Sequence, residues 1–379
     1  MNSTSYGNTS VIDETSSENF TTEKPNWDDV IQLHSYTSTD RIIISIFMPI
    51  VVIVGIIGNI ITIVVIANHR RLRTAVNVYL ANLAIADTLF LMLAPDLIWI
   101  SYVRTSVHDV FDIGADMLWF CRLNIYIVDT AVQVAIFTIF WMSVERFMAI
   151  CHPLKFRSNK FGQPSRSITI CCIMWLVSLS WQARKFVWIN LVSSQLPWPD
   201  MYNGIPNSTT ACVYCAENCE ISNHLFVADI FLSLSLIVVV VALYTAILIT
   251  LKRSHFTAKN STGNKSRSKS ERKVFITVFL TVVVYVTFMA PFGILNLVIY
   301  YTDLNINVIV SLVNILRVAA YTNSSVNPII YNAINEVFRR AFLDVFCCKR
   351  RSKTTTTATS KHVITTVSLA TSNPAYVHE

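Results

Sequence analysis

The chain has 379 residues, 53% of them hydrophobic and only 14% charged, with a mean hydropathy of +0.50 and a net charge of +7. Soluble domains carry about 25% charged residues. Here the apolar residues form long runs rather than alternating with polar faces, which excludes an ordinary soluble fold and indicates a membrane protein. The basic excess is not read as a nucleic-acid surface, because lipid accounts for both the hydropathy and the charge.

Residues 1–41 are rich in Ser, Thr and Asn and are expected to form a disordered outer tail, with N-x-S/T sequons at Asn2, Asn8 and Asn19. The tail has no basic-then-apolar start, so the first apolar run is expected to act as its own insertion signal. Seven runs of membrane-spanning length follow, at 42–67, 77–102, 122–144, 168–189, 225–251, 274–301 and 306–331. The seventh is the weakest, because Asn307, Asn314, Arg317, Asn323 and Asn327 interrupt it. The expected fold is therefore an all-α membrane protein, a seven-transmembrane helix bundle over 42–332. Of the 30 Lys and Arg, 22 lie at 70–73, 155–166, 252–273 and from Arg339 onward. These are alternate loops plus the C-terminus. The intervening loops carry Asp109, Asp112 and Asp116, then Asp200, Glu217 and Glu220. The positive-inside rule then sets the N-terminus outside.

Cys121 opens the third run on the outer side, and Cys212, Cys215 and Cys219 lie in the second outer loop beside a fourth outer sequon at Asn207. In an oxidising compartment disulfides are expected; zinc is the alternative for a C-x2-C-x3-C spacing. Residues 333–348 are expected to form a surface helix. Ile334, Val337, Phe338, Ala341, Phe342 and Val345 share one face, opposite Arg339 and Arg340. Cys347 and Cys348 follow it and suit palmitoylation next to a basic cluster. Residues 349–379 form a Ser/Thr-rich inner tail expected to be disordered.

Polar residues inside lipid are costly and are functional candidates. They occur as Asn59 in "GIIGNII", Asp87 in "NLAIADTLF", Glu145-Arg146 in "MSVERFMAICHPLKF", and Asn327 to Tyr331 as "NPIIY". Trp175 in the fourth run and Pro291 in the sixth add to the set. This series, in this order, resembles the rhodopsin-like family of G-protein-coupled receptors over residues 42–348. Cys121 and Arg146 are 25 residues apart, about 37 Å of helix, enough to cross a bilayer. The chain departs from the family at Met289, where a tryptophan is usual. It also lacks the usual prolines in the fourth and fifth runs.

The resemblance implies a closed state in which Arg146 bridges Glu145 and Glu271. It also implies an open state in which the sixth helix swings outward and a heterotrimeric G protein takes the cleft. It implies a sodium site at Asp87, Asn323, Ser324 and Asn327, with a water-filled polar network as the alternative. Tyr244 and Tyr331 would line the path from there to Arg146. No other cofactor is implied.

The candidate ligand contacts are Asp96, Val128, Asp129, Gln133, Asp229, Met289, Phe292, Asn296 and Arg317, with an internal ion pair of Arg317 to Asp129 or Asp96 as the competing reading. Monoamine receptors of the family carry an acid where this chain has Val128; Asp129 lies about 100° further round the helix. The seventh run has no lysine for retinal. The second outer loop, "TTACVYCAENC", resembles that of peptide receptors, in which a hairpin is tied to the third helix. This implies a disulfide from Cys121 to one of Cys212, Cys215 and Cys219. A peptide ligand is the first expectation, and a lipid or small polar molecule the second. The tail implies a receptor kinase and arrestin as partners. A transporter or channel would need a continuous polar path. An enzyme would need clustered nucleophilic or metal chemistry, and the eight histidines are scattered.

Overall fold

The computed structural model describes residues 26–107, 116–213 apart from 160, 201, 204 and 206, 220–257, 265–302, and 306–346 apart from 335. Asn2, Asn8, Asn19, Cys215, Cys219, Cys347, Cys348 and the side chain of Glu271 lie outside the described residues.

Seven helices form the bundle: Ser38–Asn68, Ala75–Arg104, Leu118–Cys151, Pro164–Gln182, Glu220–Thr257, Lys265–Tyr301 and Ile306–Ile334. Among the described residues, five are individually long and apolar enough to cross a membrane; the fourth and seventh are not. The seventh is accommodated by packing instead. Asn314, Asn323 and Asn327 are all buried within the bundle, so its polar residues meet protein rather than lipid. The lipid-facing side of the first helix exposes Ile46, Phe47, Ile50, Ile53 and Ile57. That is the expected surface where the solvent is hydrocarbon. The protein is a multi-pass membrane protein.

The first helix starts at Ser38, four residues before the apolar run, under a Thr37–Asp40 capping box. It widens to a π turn over Ile43–Phe47, where the Met48 N–H bonds to the Ile43 carbonyl. Pro49 follows at once. It has no N–H to give, and its ring crowds the preceding turn, so the ladder slips by one residue. The second helix breaks at Ala94–Pro95 for the same reason. The fourth helix stops at Gln182 rather than continuing to 189. After a turn at Ala183–Arg184, a single helical turn Lys185–Trp188 follows.

The outer tail is not featureless up to residue 41. Residues Trp27–His34 form a helix capped by the Asn26 side chain. Its apolar residues Trp27, Val30 and Ile31 cluster with Val107 and Trp198, which removes enough surface from water to order a segment of polar composition.

Two strands close the outer face. Strand β1 (Asn190–Gln195) pairs antiparallel with β2 (Ser208–Val213), from Asn190 opposite Val213 to Gln195 opposite Ser208. Leu191 opposite Cys212 brings that cysteine onto the third helix, and the disulfide runs from Cys121 to Cys212. Arg122 holds the start of the hairpin by donating from Nε to the Ile189 carbonyl at 2.8 Å and from its guanidinium to Asn190 Oδ1 at 3.0 Å.

The first and seventh helices meet at Gly55. A Cβ there would lie 2.9 Å from Ser325 Cβ, too close to be accepted without movement. One turn on, Asn59 Nδ2 donates to the Gly55 and Ser324 carbonyls, both at 2.9 Å. Gly55→Val is therefore expected to overpack this crossing and destabilise the fold by about 1–3 kcal/mol. A lowered melting temperature of the purified protein would register it.

After the seventh helix, Glu336–Phe346 forms a short amphipathic helix. Phe338 and Ala341 are buried against the bundle while Arg339 and Arg340 are exposed. The Phe338 ring meets Tyr331 edge-on at 6.2 Å.

Candidate ligand cavity and inner switch

A cavity of about 250 Å³ opens between the third, fourth, fifth and sixth helices. The third helix lines it with Val128, Asp129, Val132, Gln133 and Ile136, the i, i+4, i+8 stripe of one helical face with its neighbour. Asp229 comes from the fifth helix, and Met289, Phe292 and Asn296 come from the sixth. Seven of the nine residues expected from sequence thus meet in one place. Asp96 and Arg317 are not among its lining residues.

For Arg317, a candidate ligand contact whose rival reading is an internal pair with Asp129 or Asp96, the described hydrogen bond is within the seventh helix. Arg317 donates to Asn314 Oδ1 at 2.9 Å. Asn314 in turn donates to Asp40 Oδ1 at 2.9 Å, a buried link between the first and seventh helices. Asp129 instead pairs with Lys185, whose Nζ lies 2.6 Å from Asp129 Oδ2 and 3.8 Å from Asp229 Oδ2. Asp229 also accepts from Trp181 Nε1 at 2.8 Å and from the Arg184 guanidinium, which stacks over the Trp181 ring. Beside this cluster, Gln182 Nε2 donates to Gln133 Oε1 at 3.2 Å.

Trp181, Gln182, Arg184 and Lys185 were not anticipated as site residues. The available signal was "WQARK" at the outer end of an apolar run. Two cations there run against the positive-inside pattern and need acidic partners. Asp129 and Asp229 are the acids at the same depth. The early end of the fourth helix is what turns Lys185 inward, where it is 1% exposed.

Below this cavity lies a space of about 10 Å³ lined by Asp87, Ala135, Asn323, Ser324 and, from above, Met289 and Tyr285. It is close to the smallest space that takes a water. Asp87 Oδ2 accepts from Asn327 Nδ2 at 2.8 Å, whereas Asn327 Oδ1 is buried with no hydrogen bond. Asp87, Asn323 and Ser324 thus bring hard oxygen donors to that space, and Asn327, with its unsatisfied acceptor, is not among its lining residues. That donor set fits a small cation or a water.

At the inner end, Glu145 is 1% exposed and its Oε1 accepts from the buried Tyr79 hydroxyl at 2.9 Å. Glu145 thus engages the second helix, while its Oε2 is buried with no hydrogen bond. Tyr244 packs against the stacked pair Phe275 and Phe279 of the sixth helix, at 5.8 and 5.6 Å. Tyr244 and Tyr331 belong to the same buried inner cluster. Higher in the bundle, Asn82 joins three helices: its Nδ2 donates to Thr138 Oγ1 at 2.7 Å, and its Oδ1 accepts from Trp175 Nε1 at 2.9 Å.

Comparison with known proteins agrees with this architecture. Residues 58–331 match the description of the 7 transmembrane receptor (rhodopsin family). The chain is 26% identical over 326 residues to somatostatin receptor type 2 of Mus musculus, covering 84% of this chain and 81% of that receptor. It is 28% identical over 307 residues to somatostatin receptor type 1 of Rattus norvegicus, covering 81% and 72%. Similarity to the allatostatin-A receptor of Bombyx mori is 28% over 312 residues, covering 81% and 80%. A seven-helix bundle, a hairpin pinned to the third helix, and polar residues tracking from an outer cavity to Glu145-Arg146 carry the same conclusion: the chain belongs to the rhodopsin family of seven-transmembrane receptors, which are not enzymes.

Proposed function

We propose that the protein is a plasma-membrane receptor, N-terminus outside, that binds an extracellular peptide and activates a heterotrimeric G protein. The observation that carries this reading is the outer cavity of about 250 Å³, with Asp129 and Asp229 lining its outer part, beneath a disulfide-anchored hairpin and above a polar track to Arg146. Its similarity to somatostatin and allatostatin-A receptors supports a peptide.

On this reading the ligand favours a state in which the sixth helix moves away from Arg146, and the G protein fills the space. Asp87, Asn323, Ser324 and Asn327 hold a sodium ion or a water in the resting state. Glycans at Asn2, Asn8, Asn19 and Asn207, palmitate on Cys347 and Cys348, and a receptor kinase and arrestin at the tail complete the proposal. The test is nucleotide exchange by a panel of G proteins in membranes bearing the protein, challenged with a peptide library. Exchange with at least one peptide supports the reading. Ion or solute flux without exchange would replace it with a transporter.

Glu271 precedes Pro291 by twenty residues, about 30 Å along a helix, which suits the inner membrane face. Glu271→Ala is expected to raise ligand-free nucleotide exchange several-fold at matched expression, because one anchor of the closed state is lost. Unchanged basal exchange would remove Glu271 from the switch.

A further inference from the structure

The inner end of the third helix buries a carboxylate that leans on a neutral donor. Glu145 is 1% exposed. Its Oε1 accepts from the Tyr79 hydroxyl at 2.9 Å, and its Oε2 is buried with no hydrogen bond. Arg146, Arg166 and the Gly162 N–H also act on this carboxylate. All three belong to the third helix, the loop after it or the start of the fourth helix, so Tyr79 is the group that ties the acid to the second helix. A carboxylate offers about four acceptor sites. One that is buried with so few of them used depends strongly on each donor it has.

Tyr79 is itself fully buried, in the inner apolar cluster. It precedes Asp87 by eight residues, about 12 Å further in along the second helix. A ring packed in a close-packed core fixes where its oxygen lies. Tyr244 and Tyr331, the two phenols expected along the path to Arg146, have buried hydroxyls with no hydrogen bond. Of these three phenols, Tyr79 is the one that holds the acid. On the proposed mechanism, opening the inner cleft admits water to the inner end of the third helix. Glu145 then exchanges the Tyr79 hydroxyl for hydration. Without that hydroxyl, the buried carboxylate loses a donor in the closed state alone, and a contact that differs between two states sets their populations.

We infer that Tyr79 is a positioning residue of the inner switch: its hydroxyl holds Glu145 against the second helix in the closed state and so restrains the protein from the state that a G protein binds. The inference rests on the proposed coupling to a G protein.

The test uses the full-length protein in lipid nanodiscs with purified heterotrimeric G proteins. Tyr79→Phe removes one oxygen and keeps the ring. It is expected to raise ligand-free nucleotide exchange about tenfold, which corresponds to about 1.4 kcal/mol, close to the low end for a hydrogen bond to a charged group. Glu145→Gln is expected to raise exchange as well. Adding Tyr79→Phe to it should then change the rate by less than about twofold, because the hydroxyl acts through the acid. A tyrosine with a merely structural role would give the same factor in both backgrounds. Backbone hydrogen exchange over residues 142–158 and 265–280, with no G protein present, is the second readout. Tyr79→Phe is expected to speed it in both segments, and to do so no further in the Glu145→Gln background. Should Tyr79→Phe fail to fold, adding Glu145→Gln is expected to rescue it, since the stranded charge is gone. Unchanged hydrogen exchange in Tyr79→Phe, equal factors in the two backgrounds, or a misfolded variant that Glu145→Gln does not rescue overturns the inference. The coupling fails separately: faster hydrogen exchange in Tyr79→Phe with no response from any G protein would reject the G protein and leave the hold of Tyr79 on Glu145 intact.

Discussion

Serine in place of Cys121 is expected to cost the fold about 4 kcal/mol and to abolish most surface expression. The disulfide to Cys212 spans 91 residues. A cross-link over a loop of that size removes about 4–5 kcal/mol of conformational freedom from the unfolded chain. The local consequence is larger than a loop released. Cys212 sits in β2 opposite Leu191, so the bond holds the hairpin against the third helix beside the cavity. The Arg122 bonds to Ile189 and Asn190 would remain, and they are too few to fix the whole hairpin. Thermal melting of the purified protein and surface labelling of cells measure the two effects. Cys212→Ser should match Cys121→Ser, and the double variant should be no worse than either alone. A fully stable Cys121→Ser protein would mean that the hairpin is held by its other contacts.

The second large effect concerns the ion cluster, and its two halves are unequal. Asp129 keeps 31% of its side chain accessible, whereas Lys185 keeps 2%. Removing the acid therefore takes from a buried ammonium its 2.6 Å partner, while the 3.8 Å contact to Asp229 stays. Removing the lysine leaves acids that water can still reach. Asp129→Ala is expected to destabilise the protein by about 3 kcal/mol, in the range for a buried pair broken from one side. Lys185→Met should cost less. Combining them should restore part of the loss, because the stranded charge is gone; a double-mutant cycle on melting temperatures would reveal that coupling. Simple additivity of the two losses would show that the pair does not act as a unit.

How far the sequence was legible depended on the range of the interaction. The seven runs, the charge asymmetry of the loops and the polar residues one per helix are local properties. The family resemblance rests on them. The third-helix stripe from Val128 to Ile136 was equally readable, since helical period alone puts those residues on one face. The ordered helix Trp27–His34 was missed because its composition is polar. Its stability comes from Trp198 and Val107, distant in sequence. The end of the fourth helix was misplaced for a similar reason: hydropathy runs smoothly through "WQARKFVW", and nothing local marks Gln182 as the last helical residue.

Which charge meets which was the part that composition left open. From sequence, Arg317 stood out as a cation that could pair with Asp129 or Asp96, and Lys185 did not. The seventh helix turns Arg317 toward Asn314, and the chain reversal after Gln182 brings Lys185 to Asp129. Likewise, any of three loop cysteines satisfied Cys121 by count, and the register of β1 with β2 selected Cys212. The amino-acid sequence by itself determined that this protein crosses a membrane seven times, because the cost of placing charge and bare backbone in hydrocarbon is paid residue by residue. The tertiary structure alone decided the pairing of its charges and cysteines, because a contact between residues tens of positions apart depends on helix ends and strand register that no local segment encodes.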